Sequence, residues 1–261
     1  MIVSPPVVEQ QVIANYLDDR CAKIDAIIAE AKASIEEYKE LKQATISCAI
    51  FQGLNNNCKK IDTEEHWLKK IPSGWRMEKG KHLFFETNQR SVTGEEELLT
   101  VSQYTGITPR SQKNVTMIEA LSLVDYKICD IGDIAANTMW MWAGAVGVST
   151  YHGVISPSYN TYRQLNDDFD GKYLDYMLRT PELVQEYASL STGLRASRLR
   201  LYPTQFLSIY YPIALLVAKD WIEEIVGFLI AYIPLLAVWA RVRQCGREWD
   251  MINPDVKYDN Q

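Results

Sequence analysis

The 261-residue chain has little of what catalytic and metal sites are built from. Its three histidines, His66, His82 and His152, lie far apart and show no ligand spacing. Its five cysteines, Cys21, Cys48, Cys58, Cys129 and Cys245, are scattered, with no CxxC pair and no cysteine–histidine cluster. That pattern argues against a zinc module and a disulfide framework, and reads as reduced thiols in a cytoplasmic protein. No glycine-rich dinucleotide fingerprint follows a strand, and there is no P-loop and no GxSxG nucleophile elbow. The chain has no internal repeat, no low-complexity run and no charged-then-apolar leader. Positive charge is not in excess either. The net charge of −6 argues against a general nucleic-acid coat, although a reader of DNA sequence needs only a local basic face. The expectation is a non-enzyme of one to two domains, with no cofactor and no metal. Asp167, Asp168 and Asp170, beside Gly171, are read as a solvated loop before a helix in preference to a metal site.

A second absence organises the chain. Residues 8–51 contain no proline and no glycine. Leu17, Ile24, Ile27, Ala31, Tyr38, Leu41, Thr45 and Cys48 follow an alternating three- and four-residue spacing, with Arg20 and Ser34 as polar exceptions. Ile28 and Ile35 widen the stripe. A seven-residue repeat held over about five heptads lays one apolar seam along a helix. Such a helix is about 65 Å long, too long for the core of one small domain. Pro6 suits the first turn, Glu9 faces the positive end of the helix dipole, and Gly53 followed by asparagines is a stop signal. An ordinary amphipathic helix is one reading. The preferred one is a rigid spacer that pairs with a second long helix through Leu17, Ile24, Ile27, Ala31, Tyr38, Leu41 and Cys48.

Residues 54–66 read as a polar linker. Trp67 and then Ile71-Pro72-Ser73-Gly74-Trp75 open a new domain with a tight turn pinned by aromatic burial. Short β-branched runs follow at 98–102, 126–129, 145–149 and 153–156, with turns at Thr105-Gly106, Ile131-Gly132-Asp133-Ile134 and Tyr151-His152. They predict a curled, partly closed sheet. Helices are predicted at 172–179 and 182–189, and a closing strand at 206–213. Trp140 and Trp142, with Tyr151 and Tyr159, are expected in the core rather than stacked on bases.

Several blocks carry a resemblance. Pro5-Pro6-Val7-Val8-Glu9-Gln10-Gln11, then Ala22-Lys23-Ile24-Asp25-Ala26-Ile27-Ile28 and Leu41-Lys42-Gln43-Ala44-Thr45-Ile46-Ser47, resemble the spacer helix of specificity subunits of type I restriction–modification systems. Trp67 with Ile71-Pro72-Ser73-Gly74-Trp75 is similar to the start of a target recognition domain in that family. Gly132-Asp133-Ile134, Asn137-Thr138-Met139-Trp140, Ile155-Ser156-Pro157-Ser158-Tyr159, Tyr173-Leu174-Asp175-Tyr176 and Ser191-Thr192-Gly193-Leu194-Arg195 continue the likeness in order, to about residue 213. The resemblance implies an α+β chain: a long coiled-coil-type spacer helix over 1–54 and a DNA target recognition domain of short curled strands with a few helices over 55–213; there the match ends, and 214–261 reads as a divergent apolar tail. It implies as partners double-stranded DNA, a methyltransferase subunit, a restriction subunit, and a second spacer helix from a homodimer or another specificity half-subunit. Methylation and cleavage residues are expected on those other subunits.

The chain departs from the family pattern. A complete member has two helices and two recognition domains, whereas this chain has one of each. It is expected to be the second half of a specificity subunit with an unrelated tail. A silent remnant without independent activity is the alternative. Residues 225–240 of the tail carry no charge. They are read as out-of-frame sequence, a packed helix, or a membrane-associated segment that would make the chain an anchored adaptor.

DNA reading needs groups that hold phosphates and groups that read base edges. Arg195, Arg198 and Arg200, with Ser191, Thr192 and Ser197, form a basic cluster that reads equally as a phosphate track or as a subunit contact. Arg110, Gln112, Lys113 and Asn114 lie on an expected exposed loop. Their side-chain types include those that make paired contacts to guanine and adenine, and a plain polar loop is the competing reading.

Overall fold

The computed structural model describes residues 5–55, 57–113, 122–166, 168–193 and 199–213. In chain order the elements are α1 (Val7–Gln52), β1 (Lys60–Asp62), β2 (Lys70–Pro72), β3 (Arg76–Lys79), β4 (Phe84–Thr87), β5 (Leu99–Ser102), β6 (Gly106–Pro109), β7 (Lys127–Cys129), β8 (Ile134–Ala136), β9 (Val146–Val148), β10 (Gly153–Ile155), β11 (Asn160–Gln164), α2 (Gly171–Leu178), α3 (Pro181–Leu190), the single turn α4 (Pro203–Phe206) and β12 (Tyr210–Ile213). This is the expected α+β class, a long helix followed by a strand-rich domain with few helices. The apolar tail lies outside the described residues. Among the described residues, no helix is long and apolar enough to cross a membrane.

The chain divides into two units within α1, between Ala44 and Thr45. In the first unit α1 is regular, and side-chain pairs one turn apart decorate its surface. Lys23 meets Asp19 at 2.7 Å, Lys39 meets Glu36 at 2.7 Å, and the Arg20 guanidinium lies 5.2 Å from the Tyr16 ring centroid. These exposed pairs add only tenths of a kcal/mol each. The apolar seam is exposed along this unit, from 37% at Tyr38 to 55% at Ile24.

The second unit begins with the last two turns of α1. Ile46, Ala49, Ile50 and Phe51 are buried there, each large side chain contributing about 2 kcal/mol. Phe51 meets Trp67 edge-on at 5.6 Å, the Tyr173 hydroxyl donates to the Ile50 carbonyl at 3.3 Å, and the Ser47 hydroxyl donates to Glu182 at 2.9 Å. Gly53 ends the helix in the left-handed region, at φ +73°, next to the Trp75 ring.

The central sheet is antiparallel, in the order β4-β11-β8-β9. Four two-stranded ladders surround it: β1–β2, β3–β12, β5–β6 and β7–β10. The segment expected as a polar linker therefore contains a strand, because Ile61 pairs with Ile71. The expected closing strand is also shorter than predicted. Pro203 starts a helical turn that carries Phe206 into the core, and strand geometry begins only at Tyr210.

Two apolar clusters hold the domain. In the larger, the Phe206 ring lies 4.4 Å from Tyr162, 5.9 Å from Tyr211, 6.1 Å from Phe84 and 6.3 Å from Tyr187. The Tyr187 hydroxyl donates to the Leu178 carbonyl at 3.1 Å, which satisfies a fully buried polar atom. The smaller cluster joins Leu99, Val101, Ile107, Cys129, Ala135 and Ile155. Burial pushes the Cys129 thiol up to about 12, so it is an inert core residue. A parallel bridge between Leu98 and Val154 ties β5 to β10. Any Cβ on Gly153 would run into the Glu97 carbonyl, so this approach requires glycine.

Candidate nucleic-acid interface

Strand β8 ends at Ala136 and leads into a loop, residues 137–145, held by several backbone bonds. The Asn137 N–H donates to the Ala145 carbonyl and the Trp140 N–H to the Asn137 carbonyl, both at 2.9 Å. Side chains brace it from the neighbouring 156–159 turn. The Asn137 amide donates to the Tyr159 hydroxyl and the Thr138 hydroxyl to the Ser158 carbonyl, each at 2.9 Å. The indole N–H of Trp142 donates to the Met139 carbonyl at 2.9 Å. Against this loop sits the neck of the basic segment. Thr192 and Arg200 exchange backbone bonds of 2.9 and 3.0 Å, and the Leu201 N–H donates to the Thr138 carbonyl at 3.3 Å. Arg200 is exposed beside them. Arg195 and Arg198 lie outside the described residues.

Trp140 corrects an expectation. Predicted for the core, it is 50% exposed, and its ring is stacked on partly buried Trp142 at 5.6 Å and 24°. The loop turns at Met141, which takes the buried position that the tryptophan was expected to fill. Tyr151 and Tyr159 do pack against the smaller apolar cluster.

The other predicted cluster sits elsewhere. Arg110 opens a 3-10 turn directly after β6, with its N–H on the Leu98 carbonyl at 2.8 Å, and the Ser111 hydroxyl donates to Glu97 at 2.9 Å. Gln112 is exposed, while burial lowers the Lys113 ammonium below the ordinary lysine range. Asn114 lies outside the described residues. Leu98 bridges Val154, next to the Gly153–Cys129 pair, so Arg110 leaves at the end of β7 where the 130–133 turn begins. Arg200 is tied to the loop beyond the opposite end of β8. The fold thus sends Arg110 and Arg200 to opposite ends of the strands.

At the Arg110 end the 130–133 turn is locked by charge. Arg163 donates to both oxygens of buried Asp133 at 2.6 and 2.8 Å and to Asp130 at 2.7 Å, and His152 meets Asp130 at 2.7 Å. Burial alone would raise the Asp130 carboxyl. The hydrogen bonds from His152 and Arg163 outweigh it and hold the carboxyl below the ordinary carboxylate range. A depressed carboxyl stabilises the fold above its unfolded value, and this contribution is lost as pH falls through the folded value. Asp130→Asn is therefore expected to unfold at lower urea than the unchanged protein at neutral pH. The two midpoints should converge on acidification below about pH 4. A gap that stays constant down to about pH 3 would contradict this.

His66 and His82 are exposed and meet Glu186 at 3.0 Å and Glu78 at 2.7 Å. Asp170 caps α2, accepting from the Lys172 and Tyr173 N–H groups at 2.8 and 3.0 Å, as a loop acid before a helix does. Of the predicted helix seam, Leu17, Ile24, Ile27, Ala31, Tyr38 and Leu41 are exposed, while Cys48 is half-buried where α1 enters the domain.

No family model matches the sequence, and no curated protein does. Solved structures do. A chain from a study of complex assembly and conformational transition in a type I restriction–modification system is similar at TM-score 0.59 and 16% identity, over 95% of this chain and 57% of that one. The HsdS subunit from Thermoanaerobacter tengcongensis is similar at 0.47 and 14%, over 91% and 54%. The type I S subunit from M. genitalium is similar at 0.41 and 14%, over 75% and 44%. The chain spans about half the length of these proteins. Over that span it shares the fold of the chain from the type I restriction–modification system.

Proposed function

We propose that the chain is the DNA-sequence-recognition subunit, or half of one, of a type I restriction–modification complex. The domain over 55–213 reads one half of a bipartite target. Helix α1 sets the spacing to the other half and docks the methyltransferase subunit. A seam exposed from Leu17 to Leu41 on a helix of about 69 Å, followed in the same chain by a small strand-rich domain, is the observation that carries this reading. The second helix comes from another copy of this chain or from another half-subunit, and two identical copies would read a symmetric target. Methyl transfer and cleavage belong to the methyltransferase and restriction subunits, and this chain brings them double-stranded DNA.

The test is direct. Full chain mixed with a type I methyltransferase subunit is expected to shift particular duplexes selected from a randomised pool, with affinity falling steeply as salt rises. Equal retention of all sequences at every salt concentration would end the proposal.

A further inference from the structure

Trp140 is half exposed although its neighbours Thr138, Met141 and Ala145 are buried. The loop has no freedom to hide it. The Trp140 carbonyl accepts from the N–H groups of Ala143 and Ala145 at 3.0 and 3.1 Å, and Trp142, fixed on the Met139 carbonyl, props its ring. On the other side Val184 of α3 closes on Gly144, where a Cβ would sit only 3.0 Å from it. A large aromatic held in advance at an exposed position meets a partner without ordering cost. The Leu201–Thr138 bond brings exposed Arg200 to the same end of the sheet. A flat exposed ring and an exposed guanidinium at the same end of the sheet suit a partner that offers both flat rings and anions, as DNA does.

We infer that Trp140, propped by Trp142, contacts DNA by packing its indole at a base step beside phosphates held by Arg200. The ease of unstacking that step then becomes part of what the domain recognises. This inference rests on the DNA-reading role proposed above.

The full chain, assembled with a type I methyltransferase subunit, is taken through selection from a randomised duplex pool as the unchanged protein and as Trp140→Ala, Trp140→Phe and Arg200→Ala. Trp140→Ala should bind the selected duplex about tenfold more weakly or worse, with its salt dependence unchanged. Trp140→Phe, which keeps a ring on Trp142, should lose far less. Arg200→Ala should lower the salt slope by about 1. With the unchanged protein, 2-aminopurine moved through the selected duplex should brighten at one step, a reading that needs no variant to fold. Brightening at no step, or full affinity in Trp140→Ala, overturns the inference and leaves the DNA-reading role standing. A Trp140→Ala chain that keeps its duplex but no longer assembles with the methyltransferase subunit overturns it by assigning the surface to protein contact. Absence of any selection by the unchanged protein removes the DNA-reading role itself.

Discussion

Phe206→Ala is expected to lower the stability of the domain by about 3–5 kcal/mol. The side chain is 1% exposed and sits among Tyr162, Phe84, Tyr187 and Tyr211, with no partner able to follow it inward. Its removal takes away transfer free energy and leaves a hole bounded by rings that are themselves fixed. The Tyr187 hydroxyl is bound to the Leu178 carbonyl, and the Tyr211 hydroxyl to the carbonyl of residue 206 at 3.4 Å. These anchors limit collapse, which is what makes a cavity expensive. Domains of this kind hold about 5–15 kcal/mol in total, so the variant should lie near its unfolding midpoint under mild conditions. Urea titration of both proteins measures the difference. A loss below about 1 kcal/mol would mean that the cluster repacks, contrary to the rigidity inferred here.

The second large effect concerns association rather than folding. Placing aspartates at both Ile24 and Ile27 is expected to weaken helix–helix pairing by about 100-fold or more. Each isoleucine is about half exposed in the single chain, and pairing would bury the remainder. The substitution removes that gain and asks a carboxylate to enter an apolar seam instead. Ile24 and Ile27 lie outside the unit that begins at Thr45, so that unit's urea midpoint should not move. Sedimentation of the unchanged chain with the proposed helix partner, set against the double variant, gives the answer. If both sediment with the same mass, some surface other than the seam holds the assembly.

The long helix was legible because its signals are local: a run without proline or glycine, and a glycine placed where the left-handed stop is needed. The strands at 98–102, 126–129, 145–149 and 153–156 were legible to within a residue for the same reason. Other features depend on partners distant in sequence. Lys60-Ile61-Asp62 is polar and only three residues long, and becomes a strand because Ile71 comes alongside it. Phe206 looked like the start of a strand, yet Pro203 just before it begins a helical turn. Apolar spacing around Trp140 and Met141 does not say which of the two faces inward; the bonds from Asn137 and Thr138 to the 156–159 turn settle that. Arg163 reaches acids some thirty positions away, a pairing that no local pattern announces. Composition picks out Arg110 and Arg200 as two separate candidates and does not say where they lie relative to each other. Strand register, which a single sequence does not reveal, sends them to opposite ends.

The final two turns of α1 bear on how this domain could be exchanged between proteins. Ile46, Ile50 and Phe51 belong to the same apolar cluster as Leu68, Ile71, Trp75 and Tyr173. A graft cut at Gly53, the obvious seam in the sequence, would leave that plug behind in the donor and open greasy surface to water in the recipient. The transplantable module starts at Thr45, inside the helix. Any exchange that moves this domain with its core covered has to cross over upstream of that residue, within the rod rather than at its tip.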